Sequence, residues 1–287
     1  VVALDPRDGR LLALVNEEMA CRTSYPPGSV VKLITAFAAL HEGAVTRETE
    51  FTCRNVHGSG REKLICSLPG GHGDVDLEEA ISRSCNVYFY RAVEELGPER
   101  FLKHLRGFRL GSKVPGYPGN QDSGRLPAAL NGRLETDRAA IGQHRDLRVT
   151  PLQMAMVTAA VANGGTWYRP YIGGSGRSSA AGRIESRPGA FQVIRNGMRR
   201  SVLSGTSREA AVPGISVCGK TGSPGTEANP DYRHGWFVGF APYDSPKVVV
   251  VVFCEWGHGG SEAAPIAAGV FRAWQSWFET GKAYSSR

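Results

Sequence analysis

Long apolar runs are missing from this 287-residue chain. The longest, Val248 to Cys254, is seven residues, far short of the roughly 20 that a membrane-spanning helix needs. A charged start followed by an apolar core, the mark of a secretory signal, is also missing. The chain opens directly into Val1-Val2-Ala3-Leu4-Asp5, which reads as a strand, so it is expected to be a domain cut from something longer. Basic clusters are lacking too. The net charge is +7, but Lys and Arg are scattered, which argues for solvated surface and against a nucleic-acid partner. Such a charge suits an anionic cell-surface target without demanding one. There is no internal repeat and no long biased tract. The Gly/Ser-rich stretch Gly173 to Gly182 reads as a loop.

Tight cysteine pairs are absent as well. The six cysteines are Cys21, Cys53, Cys66, Cys85, Cys218 and Cys254. With His72, three of them form the series Cys53-x12-Cys66-x5-His72-x12-Cys85. Three thiolates and an imidazole make a closed tetrahedral zinc complement. The spacing equally admits a Cys53–Cys66 disulfide, with His72 capping a turn between glycines, or free thiols. Cys21, Cys218 and Cys254 read as small buried hydrophobes.

What is present is an ordered set of three short motifs: Ser29-Val30-Val31-Lys32, Ser84-Cys85-Asn86 and Lys220-Thr221-Gly222. The first follows the rigid turn Tyr25-Pro26-Pro27-Gly28 and opens an apolar stretch from Val30 to Leu40. That stretch is apolar on nearly every side, so it is expected to be a buried helix. Ser29 falls in its first turn, where free N–H groups and the helix dipole favour an alkoxide. Lys32, three residues on, shares a face with it. Burial beside a second cation, with Lys220 as the candidate, lowers a lysine's pKa and makes it a base. The bland alternative, a helix cap and a snorkelling lysine, leaves unexplained why a lysine interrupts so apolar a helix.

Residues 1–15 read as two strands joined at Asp8-Gly9-Arg10. Residues 41–165 read as mostly loop and helix. Helices are expected from Asp76 to Ser84, where Asp76-Leu77-Glu78-Glu79 has capping-box form, from Asn86 to Leu96, and from Pro151 to Ala162 behind Thr150-Pro151-Leu152-Gln153. A helix near 189–202 precedes strands at Ile215 to Thr221, Gly235 to Phe240 and Lys247 to Phe253, and a last helix runs from Pro265 to Phe278. Strands at both ends around a helical insert imply an α+β sheet domain with a helical subdomain and a site in the cleft between. The expected division is 1–40 with 166–287 for the α/β part and 41–165 for the helical part.

With these stretches the chain resembles the transpeptidase domain of class B penicillin-binding proteins, the elongation type most closely. The resemblance covers nearly all residues. It rests on the three motifs together with Tyr25-Pro26-Pro27-Gly28, Gly71-His72-Gly73, Ala140-Ile141-Gly142-Gln143, Val149-Thr150-Pro151-Leu152-Gln153, Ala162-Asn163-Gly164-Gly165, Trp236 to Pro242 and Ala264-Pro265-Ile266-Ala267. It implies the penicillin-binding/serine β-lactamase-like fold, with an antiparallel sheet flanked by helices and an all-helical subdomain.

It also implies a D,D-transpeptidase that cross-links peptidoglycan stem peptides and is acylated by β-lactams. Ser29 would be the nucleophile and Lys32 its base. Ser84 would relay a proton and Asn86 would hold substrate and Lys32. Lys220, Thr221, Gly222 and Ser223 would form the edge along which the donor peptide lies. The oxyanion hole would be the N–H groups of Ser29 and Ser223. No catalytic cofactor is implied. The resemblance favours a structural zinc held by Cys53, Cys66, His72 and Cys85, since some elongation-type relatives bind zinc at such positions. It implies a membrane glycosyltransferase as partner and a place on the outer face of the bacterial cytoplasmic membrane, reached through an anchor and pedestal domain outside this stretch.

Two departures stand out: Ser223 where threonine is more usual, and Cys85 where small or acidic residues are common. The alternatives are a serine β-lactamase or a non-catalytic β-lactam sensor. A β-lactamase needs a placed deacylating base. No Glu-x-x-x-Asn lies between the second and third motifs, and the nearest candidate, Glu135, sits in a different setting. His234 is read as structural or cleft-facing, Trp236 as core, and His258 as a loop residue near the cleft entrance.

Overall fold

The computed structural model describes residues 1–173, 178–226 and 232–280. Its strands are β1 Val2–Leu4, β2 Arg10–Leu14, β3 Phe51–Cys53, β4 Val56–His57, β5 Leu64–Ile65, β6 Gly73–Val75, β7 Thr166–Tyr168, β8 Tyr171–Ile172, β9 Ala180–Arg183, β10 Cys218–Gly222, β11 Gly235–Ala241 and β12 Val248–Cys254. Its helices are α1 Lys32–Glu42, α2 Leu77–Arg83, α3 Asn86–Leu96, α4 Pro98–Gly107, α5 Arg133–Ala140, α6 Pro151–Asn163, α7 Ala190–Ser204 and α8 Ala264–Thr280.

Six strands form one sheet in the order β10-β11-β12-β1-β2-β8. Chain-terminal segments thus meet at its centre, where Val2 pairs with Val251. Every pairing is antiparallel except the short β2–β8 contact at the far edge, which is parallel. The valine run of β12 is buried on both faces, the pattern expected of a strand covered on two sides. Val249 and Val251 join the core shared with α1 and α6, while Val248, Val250 and Val252 pack with Phe271 of α8.

Nine of the eleven α1 residues, Lys32 to Leu40, are buried. Helix α6 is buried from Pro151 to Ala162 and carries a complete capping box between Thr150 and Gln153. At α2 only half of that device forms. Asp76 accepts from the Glu79 N–H, while the Glu79 carboxylate turns to Arg83. The helical part also holds two short ladders, β3–β6 and β4–β5, so it is not purely helical. Helices α4 and α5 go unmarked in the sequence reading. Within the Gly173 to Gly182 stretch, residues 174–177 lie outside the described residues, and Ala180–Arg183 pairs with β7 as a strand. Among the described residues, no helix is long and apolar enough to cross a membrane.

Candidate active site

Close backbone approach positions the first motif. The Pro26 carbonyl accepts from the Trp236 indole at 3.0 Å, and the Gly28 N–H donates to Gly142 at 3.0 Å. A Cβ on Gly142 would stand 2.2 Å from the Gly28 carbonyl oxygen, so the turn closes only around glycine. Trp236 is wholly buried, as read. Residues Gly28–Val31 form a 3-10 turn, and the α-helix proper begins at Lys32. Ser29 is therefore one turn earlier than an α-helical start would place it. The Lys32 N–H still donates to the Ser29 carbonyl across that turn, which keeps the two residues at adjoining positions of one continuous helical segment.

Lys32 is fully buried. Its Nζ donates to the Ser84 carbonyl at 2.8 Å, Ser84 Oγ at 3.2 Å and Asn86 Oδ1 at 2.6 Å. Lys220, also fully buried on β10, donates from Nζ to the same Ser84 Oγ at 2.8 Å and to the Thr221 carbonyl at 2.9 Å. One hydroxyl thus links two amines. Burial pulls Lys32 down to about 8. Lys220 is pushed well below the ordinary lysine range by burial first and the charge of Lys32 second. The expected second cation is thus in place beside Lys32, with burial the larger cause for both amines.

Ser84 caps α2 in the left-handed region, with φ of 57°. That conformation is unfavourable for a residue with a Cβ. It turns the chain so that Asn86 can open α3. Asn86 Nδ2 donates to the Ile65 carbonyl at 3.4 Å, so its amide joins Lys32 to the end of β5. Along β10, the Thr221 hydroxyl donates to Thr206 Oγ1 at 2.8 Å. A Cβ on Gly222 would meet the Pro27 carbonyl at 3.0 Å, which marks how near the strand comes to the nucleophile turn. Ser223 follows the strand, and its Oγ accepts from the Gly259 N–H at 2.9 Å.

A cleft of about 550 Å³ collects these groups: Ser29, Ser84, Asn86, Thr221, Gly222 and Ser223 line it. His258 lines it too, as its loop position suggested. His234 instead packs against Tyr25 and Phe253, the structural alternative. Thr206 and Arg233 line the cleft without having been singled out. Each reaches it from a loop, with no spacing pattern to announce it. The described lining residues include no carboxylate. Glu135 opens on a neighbouring cavity and accepts from the Asn131 N–H at 2.8 Å.

Behind the second motif, Cys53, Cys66, His72 and Cys85 each bring one donor atom within 4.8 Å of the other three. The three cysteines are buried. His72 Nδ1 is 3.6 Å from Cys53 Sγ and 3.4 Å from Cys66 Sγ. A tetrahedral zinc with ordinary bond lengths holds sulfur and nitrogen ligands about 3.6 Å apart, so the set fits that ion. All six cysteines are free thiols in this structure, Cys53 and Cys66 included. The Asn86 N–H donates to Cys66 Sγ at 3.2 Å. A bond from the Cys85 thiol, aided by that N–H, holds Cys66 well below the ordinary thiol range. Of the other cysteines, Cys21 and Cys218 are buried, but Cys254 is only half-buried.

A family model described as the penicillin-binding protein transpeptidase domain matches residues 1–272. Stage V sporulation protein D of Bacillus subtilis is 30% identical, the alignment covering 94% of this chain and 48% of that protein. The peptidoglycan D,D-transpeptidase PbpA of Mycobacterium tuberculosis is 31% identical, over 95% and 66% respectively. Among solved structures, Pseudomonas aeruginosa PBP2 in complex with WCK 5153 superposes with a TM-score of 0.87 at 29% identity, covering 95% of this chain and 72% of that one. The ceftriaxone acyl-enzyme complex of penicillin-binding protein A from M. tuberculosis does so at 0.83 and 27%, over 95% and 73%. The chain spans about half the length of the first two curated relatives it matches.

Proposed function

The chain belongs to the penicillin-binding protein transpeptidase family, and from that premise we propose that it is a peptidoglycan D,D-transpeptidase acting through a serine acyl-enzyme. The observation that carries the mechanism is the chain Lys32–Ser84–Lys220, joined through one hydroxyl at 3.2 and 2.8 Å. Neutral Lys32 takes the proton of Ser29 as Oγ attacks the penultimate D-Ala carbonyl of a stem peptide. The N–H groups of Ser29 and Ser223 receive the developing oxyanion, each worth roughly 3–4 kcal/mol. As the C–N bond breaks, a proton passes by way of Ser84, held by Lys220, to the departing D-Ala amine. An amine of a second stem then attacks the ester, gives up its proton along the same route and frees Ser29. Asn86 orients Lys32 and the donor amide, and Thr221, Gly222 and Ser223 hold the donor along β10.

β-Lactams react as donor mimics. No carboxylate lies among the described cleft residues, which favours a persistent adduct over glutamate-assisted hydrolysis. Cys53, Cys66, His72 and Cys85 would hold a structural zinc, which supplies cross-linking of the loop and no catalytic step. Bonds from those ligands to the ion would fix Ser84 and Asn86 against the 53–72 segment. Residues 41–165 act as the helical side of the cleft, and 1–40 with 166–287 as the sheet side. The full protein works at the outer face of the cytoplasmic membrane, with a membrane glycosyltransferase of the elongation machinery as partner.

An intact-mass time course with excess penicillin tests the reading. A single adduct on Ser29 that outlasts removal of free drug is expected. Rapid drug hydrolysis without an adduct would make the protein a β-lactamase. Transfer of a donor depsipeptide to an added amine separates the transpeptidase from a sensor, which acylates without turnover.

A further inference from the structure

We propose that His41, Glu42 and His104 form a divalent-metal site of the zinc type, at the end of α1 remote from Ser29 and separate from the thiol cluster. One donor atom from each lies within 4.8 Å of the other two. His41 and Glu42 close α1, and His104 lies in the last turn of α4. Two imidazoles and one carboxylate are a sufficient protein set for zinc, leaving a fourth position for water or another donor. His104 Nε2 and Glu42 Oε1 are 2.8 Å apart. Ligands sharing a zinc ion sit about 3.0–3.5 Å apart, so a small opening of this pair admits one.

The rings are fixed before any metal arrives. Phe37 stacks on His41 with centroids 5.5 Å apart and meets His104 edge-on at 5.7 Å. The two imidazoles themselves pack at 5.3 Å. His41 Nδ1 is enclosed and has no hydrogen-bond partner. An enclosed imidazole nitrogen left unpartnered is costly. The last carbonyls of α1 also favour a cation at this end. Arg187 reaches only the main-chain oxygen of Glu42, at 3.4 Å, and leaves the carboxylate to His104. The comparable group His57, Glu94 and Asp137 differs here. Arg133 Nη1 already sits 2.8 Å from the Asp137 oxygen that faces His57, so a cation occupies that place.

The ion would clamp α1 to α4, and its loading would appear in metal content and melting temperature. The experiment compares wild-type protein with His104→Gln and Glu42→Gln after chelation, by equilibrium dialysis against Zn²⁺ and by Co²⁺ absorption. The variants are expected to hold one metal fewer per chain than wild type. They should keep any sulfur-to-cobalt charge-transfer band and lose part of the zinc-dependent rise in melting temperature. Because the difference is read rather than the total, an empty thiol cluster leaves the test intact. Metal-free melting curves that match wild type establish that the variants fold. Should one variant fail to fold, the other gives the reading. Equal metal content in wild type and variant would overturn the proposal. So would a loss that tracks the sulfur band.

Discussion

Two opposite chemistries flank the tripeptide Ser84-Cys85-Asn86. On one side, two buried amines close on Ser84 Oγ and Asn86 Oδ1. On the other, Cys85 joins two buried thiols and an imidazole. Burial weakens positive charge on the first flank, pulling both lysines down. Donated hydrogen bonds favour negative charge at Cys66 on the second, while the bond between the two thiols pushes Cys85 up. The comparison teaches that burial alone does not set a group's charge. The lysines are given mostly neutral oxygens and each other, whereas Cys66 is given N–H and S–H donors. The lysine flank is thereby ready to move protons, and the thiol flank to make lasting bonds.

The sharpest way to break this comparison lies on the lysine flank. Ser29→Ala should abolish the penicillin adduct in intact-mass measurements. Lys32→Met should slow acylation by about 10³-fold, with a modest fall in melting temperature, because the Ser84 carbonyl and Asn86 Oδ1 lose their donor. A large loss of stability in Lys32→Met would mean that this lysine acts as a structural tie.

The thiol flank should respond in the reverse order. Cys66→Ser, or strong chelation of the wild type, should lower stability by several kcal/mol, since metal ligation at such sites contributes folding free energy directly. Acylation should fall less than in Lys32→Met. Denaturant melts with and without chelator, set beside acylation rates, check both halves. If chelation leaves the melt unmoved, the four residues hold no ion.

Sequence legibility follows the same divide. Helix α3 begins at Asn86 and ends at Leu96 as read, because apolar spacing and the following Gly97-Pro98 are local signals. The three motifs were visible because each residue's chemistry is carried by its type. The 3-10 start at Ser29 was not, since it depends on Gly28 docking on Gly142, over a hundred residues away. Thr206 and Arg233 were missed for a similar reason, being brought to the cleft by loop placement. Helix α5 buries Thr136, Asp137, Ala139 and Ala140 and shows no apolar stripe, whereas α4 does carry one, Phe101, Leu102 and Leu105, but behind the same Gly97-Pro98 that reads as a stop. The four metal-type ligands could be proposed from their identity, but only folding sets their donor atoms within 4.8 Å.

The smallest expected effect lies beyond the thiol flank, at His57 on β4. A hydrogen bond to Asp137, with a second to Glu94, raises this histidine above its ordinary value of 6.5, against the opposing cost of burial. A raised folded pKa contributes stability that is complete below the unfolded value and fades as pH rises through the folded one. His57→Gln should therefore show its largest melting deficit below pH 6.5, shrinking steadily toward alkaline pH. A deficit independent of pH would make packing of the ring against Tyr90 its whole contribution.

The measurement that bears most directly on the account is the pH dependence of penicillin acylation at Ser29, followed by intact mass under pseudo-first-order conditions. With Lys32 near 8, only its neutral form accepts the serine proton. The rate should rise about tenfold per pH unit below 8 and level off above it. A rate that stays flat from pH 6 to pH 9 in folded protein would contradict Lys32 as the base and, with it, the neutralised-lysine flank on which the mechanism rests.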